Sequence, residues 1–226
     1  MRSCLSRFLV LTLAFLPAAP LLSGEKGQPS GITVDKDKRT VTIACSIAPR
    51  KLPNLKQIYP IEVIATFPAP RGQKAHETVV NFDVKPSDVH KALVSLGLKA
   101  GKPGLGEIDR ATGPEVKIYL EFAKADGGTT RVPIEETMVD LKTGKTLPKQ
   151  KWLFTGSALT QPDPEKDDTV YGADLSGTLI TIFPVTNSTV FQTALSGKDE
   201  SKWKLETNQK LLPKIGTAAK LIIEAK

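Results

Sequence analysis

The sequence predicts an α+β fold of mostly antiparallel β hairpins, with one short amphipathic helix, about residues 88–96, packed on a sheet. Three observations predict it. Apolar residues recur at period two in run after run, as in Val41, Ile43, Cys45 and Ile47, or Val116, Ile118, Leu120 and Phe122, which marks half-buried strands. Helical spacing is clearest in PSDVHKALVSLGLKAG, where Val89, Ala92, Leu93 and Leu96 fall at i, i+3, i+4 and i+7. Glycine- and proline-rich links such as KAGKPGLGEIDRATGP separate the runs.

Taken in order, MRSCLSR carries Arg2 and Arg7 and no acid, and precedes the apolar run FLVLTLAFLPAAPLL. This pattern reads as a secretory signal peptide over 1–24, cut after Ser23 or Gly24. The run is shorter than the roughly 20 residues a spanning helix needs, so no transmembrane segment is expected after cleavage. No cysteine follows the run, and Cys4 precedes it, so the product is not expected to be a lipoprotein. Residues 25–31 form a flexible polar lead-in. Residues 32–226 form a single β-rich domain, with 97–114 the place where two sub-units could join.

Within it, ITVDKDKRTVTIACSI reads as a hairpin, and IEVIATF followed by AHETVVNFDV as a second one. Ser87 is the expected N-cap of the helix, Asp88 favours its positive end, and Gly97 supplies the left-handed stop. EVKIYLEFA and TTRVPIEET pair across a glycine turn, Pro133 marking the second as an edge strand. KWLFTGS, TVYGADLSGTLITIF, NSTVFQ, KWKLET and AAKLIIEAK complete the strands.

Removing Arg2 and Arg7 lowers the formal charge from +7 to +5, with 29 basic residues facing 24 acidic ones. The basic runs KDKR and KQK fall in turns without interleaved aromatics, which argues against a nucleic-acid partner and leaves room for attraction to an acidic envelope surface. One cysteine, Cys45, survives processing and belongs to an apolar row, where a thiol acts as a small hydrophobe. No cofactor is expected.

The two histidines, His76 and His90, are the first candidates for a site. In a regular strand His76 and Glu77 point to opposite faces, and His90 lies at the margin of the helix's apolar stripe. A catalytic zinc takes three protein ligands, so with two histidines and a core-facing thiol a carboxylate would have to complete the set, Glu77 only if the strand is irregular, with Asp174 or Ser157 as further groups that folding could bring near. Other patterns point to turns and loops. Gly144-Lys145-Thr146 lacks the earlier glycine of a phosphate loop, since Val139 stands there. Ser157 lacks a nucleophile-elbow spacing, since Leu159 stands at the second glycine position. Asp163, Glu165 and Asp167 lack the central glycine of a calcium loop.

Taken together and in order, KAHETVV, PSDVHKALVSLGLKAGKPG, KWLFTGS and YGADLSGTLIT resemble the YdjY-type family of exported bacterial proteins, over roughly Ile32 to Gln192. The resemblance implies a bacterial source and an envelope or extracellular address, and no defined activity. A ferredoxin-like label that some members carry does not transfer, because an iron–sulfur cluster takes four thiolates. The matching residues His76, Glu77, Pro86, Ser87, His90, Gly97, Trp152, Gly156, Ser157 and Asp174 are candidates for a shared surface. The expected function is a non-catalytic binding or structural domain for an unidentified envelope or extracellular ligand. The alternative is a metal-binding protein or metal-dependent enzyme centred on His76, Glu77 and His90.

Overall fold

The computed structural model describes residues 31–124 and 127–226, so the expected signal peptide and all of the lead-in except Gly31 lie outside the described residues. The chain is mostly β. Its strands are β1 (Ile32–Asp35), β2 (Thr40–Ile47), β3 (Val63–Thr66), β4 (Val80–Phe82), β5 (Glu115–Ala123), β6 (Thr129–Pro133) and β7 (Met138–Asp140), then β8 (Trp152–Phe154), β9 (Leu159–Thr160), β10 (Val170–Tyr171), β11 (Thr178–Thr181), β12 (Phe191–Thr193), β13 (Leu205–Thr207) and β14 (Ala218–Ala225). Two short α-helices, α1 (Pro86–Ser95) and α2 (Gly172–Ser176), and two 3-10 turns, Ile134–Thr137 and Gly197–Lys202, complete it.

Eight strands close into a barrel in the order β2, β14, β5, β8, β12, β11, β3, β4, because β4 pairs back onto β2. Closure follows from register. Cys45 pairs with Ala219 on β14 and with Phe82 on β4; Ala219 pairs with Phe122, Val116 with Trp152, Phe154 with Phe191, Phe191 with Ile180, Ile180 with Ala65, and Ala65 with Val80. Because side chains alternate between faces, one continuous apolar row runs round the inside. Every one of these residues is buried in the same cluster. β1 and β6 lie outside the ring, on β2 and β5.

The first hairpin, the alternation in β5 and the edge position of β6 match the sequence expectations. The second hairpin does not. β3 and β4 run parallel, joined by turns over 67–79, and residues 74–77 are turn rather than strand. The apolar residues of IEVIATF specify burial, which all of β3 has, but not the direction of the partner. TVYGADLSGTLITIF is likewise not one strand, since α2 interrupts it.

The helix begins at Pro86, two residues earlier than Ser87 as N-cap suggests, because proline's fixed φ suits the first helical position. Lys85 is the N-cap and offers no side-chain cap, so Ser87 is not the capping residue. At the other end the Gly97 N–H donates to Val94 O and the Leu98 N–H to Leu93 O, with Gly97 at φ 86°, the Schellman arrangement. Val89 and Leu93 enter the barrel's core cluster, so α1 is held by the interior it helps to fill. Among the described residues no helix is long and apolar enough to cross a membrane.

Candidate functional site

The helices bring several residues matched by the family resemblance to one place. The His90 ring, half-buried on α1, meets Phe154 edge-on at 5.0 Å and Tyr171 at 5.5 Å. Its Nδ1 lies 2.8 Å from Tyr171 Oη, which accepts a hydrogen bond from the Ser157 N–H at 3.0 Å. The tyrosine's single proton is thus free for the histidine, and a neutral ring with its own proton on Nε2 fits. Burial acts the same way, holding His90 below the usual imidazole range and Tyr171 above the usual phenol range.

Ser157 Oγ donates to Ala158 O at 3.0 Å and accepts from the Ala173 N–H at 2.9 Å, fixing the start of α2. Asp174 Oδ1 accepts the Ser87 N–H at 2.8 Å, so α2 supplies the anionic cap that α1's own sequence lacks. Gly156, at φ 64°, passes close under the histidine, where a Cβ would stand 3.2 Å from His90 Cε1. Trp152 does not join this cluster. It is buried in the barrel, with Nε1 donating to Glu135 Oε1 at 3.0 Å.

His76 and Glu77 stand apart from it. The 74–77 turn, unlike a strand, lets neighbouring side chains meet, and His76 Nε2 lies 3.0 Å from Glu77 Oε1. The His76 ring packs edge-on to Tyr59, and its carbonyl accepts from Arg50 Nη1 at 2.7 Å. Arg50 is buried, and it also donates to Tyr59 O and to Glu206 Oε1, the latter at 2.6 Å. Lys74 Nζ bridges Glu62 at 2.9 Å and Glu77 at 2.8 Å, while Glu200 approaches Glu62 from the second 3-10 turn. Burial and the carboxyl of Glu62 raise Glu77 and Glu200. At Glu62 burial acts upward, but hydrogen bonds, the first of them from Lys74, outweigh it and hold the group low. Glu62 and Glu200 border a cleft of about 360 Å³ walled by Phe183 and Trp203.

Among the described residues, His76 and His90 share no ring neighbour. Among the described residues no group of three or more His, Cys, Asp or Glu side chains is placed to hold a metal ion. The YdjY domain profile matches residues 32–224. The chain belongs to the YdjY domain family. No curated protein and no solved structure matches it. In this YdjY domain the residues that sequence reasoning missed are Tyr171, Lys74, Glu62, Glu200 and Arg50. Tyr171 sits inside a run read as continuous strand, and the other four reach partners through a fold that sequence spacing does not encode.

Proposed function

We propose that this YdjY domain is an exported, non-catalytic binding or structural domain of the bacterial cell envelope. The observation that carries the reading is the place of Tyr171 Oη, between His90 Nδ1 and the Ser157 N–H. A nucleophile needs its base within hydrogen-bond reach. Here His90 Nδ1 is bonded to the phenol, and the serine hydroxyl serves the backbone of 158 and 173. The same residues clamp α1, α2 and the end of β8 together, as struts do. Export is supported by the basic start and apolar run of residues 1–24.

Struts and catalytic residues respond oppositely to truncation. Removing a strut leaves buried partners unsatisfied, at about 1–3 kcal/mol each, whereas catalytic groups often compromise stability and their removal leaves it unchanged or higher. Tyr171→Phe and Ser157→Ala are therefore expected to lower the melting temperature, by about 2–4 °C per kcal/mol in a domain of this size. Unchanged or raised melting temperatures in both variants would sink the reading. Mass spectrometry of the secreted chain is expected to find Glu25, or the residue before it, at the N-terminus.

A further inference from the structure

The hairpin that leaves β7 ends in a turn at 141–144, closed by the Asp140 N–H to Lys145 O at 2.8 Å and the Gly144 N–H to Asp140 O at 2.7 Å. β13 lies beside it, and the Leu141 N–H donates to Lys204 O at 2.8 Å. Asp140 is buried beneath the turn. Its carboxylate accepts from the backbone N–H groups of Lys204 and Lys142 and from Thr143 Oγ1, at 2.9, 3.1 and 2.9 Å. Those donors, Lys204 N–H first, hold it below the usual carboxylate range. The turn is thus a braced element whose own acid is turned inward.

What it presents outward is one apolar side chain among cations. Leu141 is 56% exposed at the apex. Lys142, Lys145 and Lys204 are exposed around it, and none forms a close ion pair with a carboxylate among the described residues, Lys142 acting on the inward-turned Asp140 only through its charge. Lys142 Nζ instead donates to Ser201 O at 2.7 Å. The nearby acids are engaged elsewhere: Asp199 binds Ser196 and Lys202, Glu200 faces Glu62, and Glu206 pairs with Arg50.

We propose that this tip, Leu141 with Lys142, Lys145 and Lys204, docks on the anionic surface of a lipid bilayer. Charge complementarity selects a polyanionic partner, and the apolar apex selects a bilayer over a soluble polyanion. Leu141 reaches the acyl boundary while the lysine ammonium groups stay at the level of the phosphates. The proposal deepens, and rests on, the reading of the chain as a binding domain of the envelope.

The test uses the mature chain with vesicles of phosphatidylcholine alone or mixed with phosphatidylglycerol. Co-sedimentation with the anionic vesicles only, weakening as salt rises, is expected. Lys142→Gln and Lys145→Gln should each weaken it about fivefold. Leu141→Ser should weaken vesicle binding while leaving binding to heparin, a soluble polyanion, unchanged. All three variants should stay close to the parent's urea midpoint, since the altered side chains face solvent and the one hydrogen bond lost, from Lys142 Nζ to Ser201 O, is an exposed one. Equal binding to neutral vesicles, no binding at low salt, or a Leu141→Ser variant that binds anionic vesicles as the parent does would overturn the proposal. Any of these would leave the stability test at Tyr171 and Ser157 untouched, so the two failures can be told apart.

Discussion

Gly156 carries two separate constraints, and a neighbouring case allows them to be measured apart. Its φ of 64° strains any side-chain-bearing residue, and a Cβ there would stand 3.0 Å from Ala100 Cβ and 3.2 Å from the His90 ring. Gly97 shares the positive φ, at 86°, but opens onto free space. Gly97→Ala is therefore expected to cost about 1–2 kcal/mol from backbone strain alone. Gly156→Ala should cost more, because the strut at His90 must also shift; urea midpoints of the two variants decide it, and equal losses would refute the steric part. Cys45 makes the same point about environment. Buried on the barrel's inner row, its thiol is pushed up to about 12, so alkylation at pH 8 should be negligible in the folded chain and rapid in urea. The burial of Cys45 was legible from its place in an alternating row. The neutral, tyrosine-bound state of His90 was not, because its partners arrive from another part of the chain.

At the scale of elements, α1 shows how a local signal can be right about existence and wrong about mechanism. The apolar spacing and Gly97 locate the helix, but its N-terminus is completed by Asp174 from α2 rather than by Ser87. Asp174→Ala is expected to cost about 1 kcal/mol, as loss of a cap does, and to raise amide exchange at residues 87–89 while leaving β14 protected. Uniform loss of protection would mean that the carboxylate supports the whole fold and not this helix end. Long alternating runs such as β2, β5 and β14 were legible because each buries one face along its length. α2 was not, since five residues are too few to show a 3.6 period. β3 and β4 were legible as strands and not as a parallel pair, since their burial on both faces carries no information about the partner's direction.

For the whole molecule, closure of the barrel depends on β4 meeting β2 at Cys45 and Phe82, a pairing that no local pattern announces. The same closure sets the turn at 74–77 beside Glu62 and the 3-10 turn that carries Glu200, gathering three carboxyls around one ammonium. The consequence is a pH dependence whose sign can be worked out. Glu77 and Glu200 titrate above the ordinary glutamate value of 4.5, so the folded chain binds their protons more tightly than the unfolded chain does. Their stabilising effect is complete below that value and is lost as pH rises through the raised folded value. Glu62 and Glu206 are held low, the first chiefly by Lys74 and the second by Arg50, both against the upward push of burial. Their contribution is present above 4.5 and is lost as pH falls through the folded value. His90, held below 6.5 by burial, penalises the folded state as pH falls past 6.5. The parent's own profile mixes these opposing slopes, so the informative quantity is a difference. Glu200→Gln deletes one raised carboxyl and relieves its repulsion with Glu62. The variant's urea midpoint minus the parent's should therefore grow as pH rises from about 4.5 to 7.5. A difference independent of pH, or one that shrinks over this interval, would show that Glu200 is not raised by the cluster that barrel closure assembles.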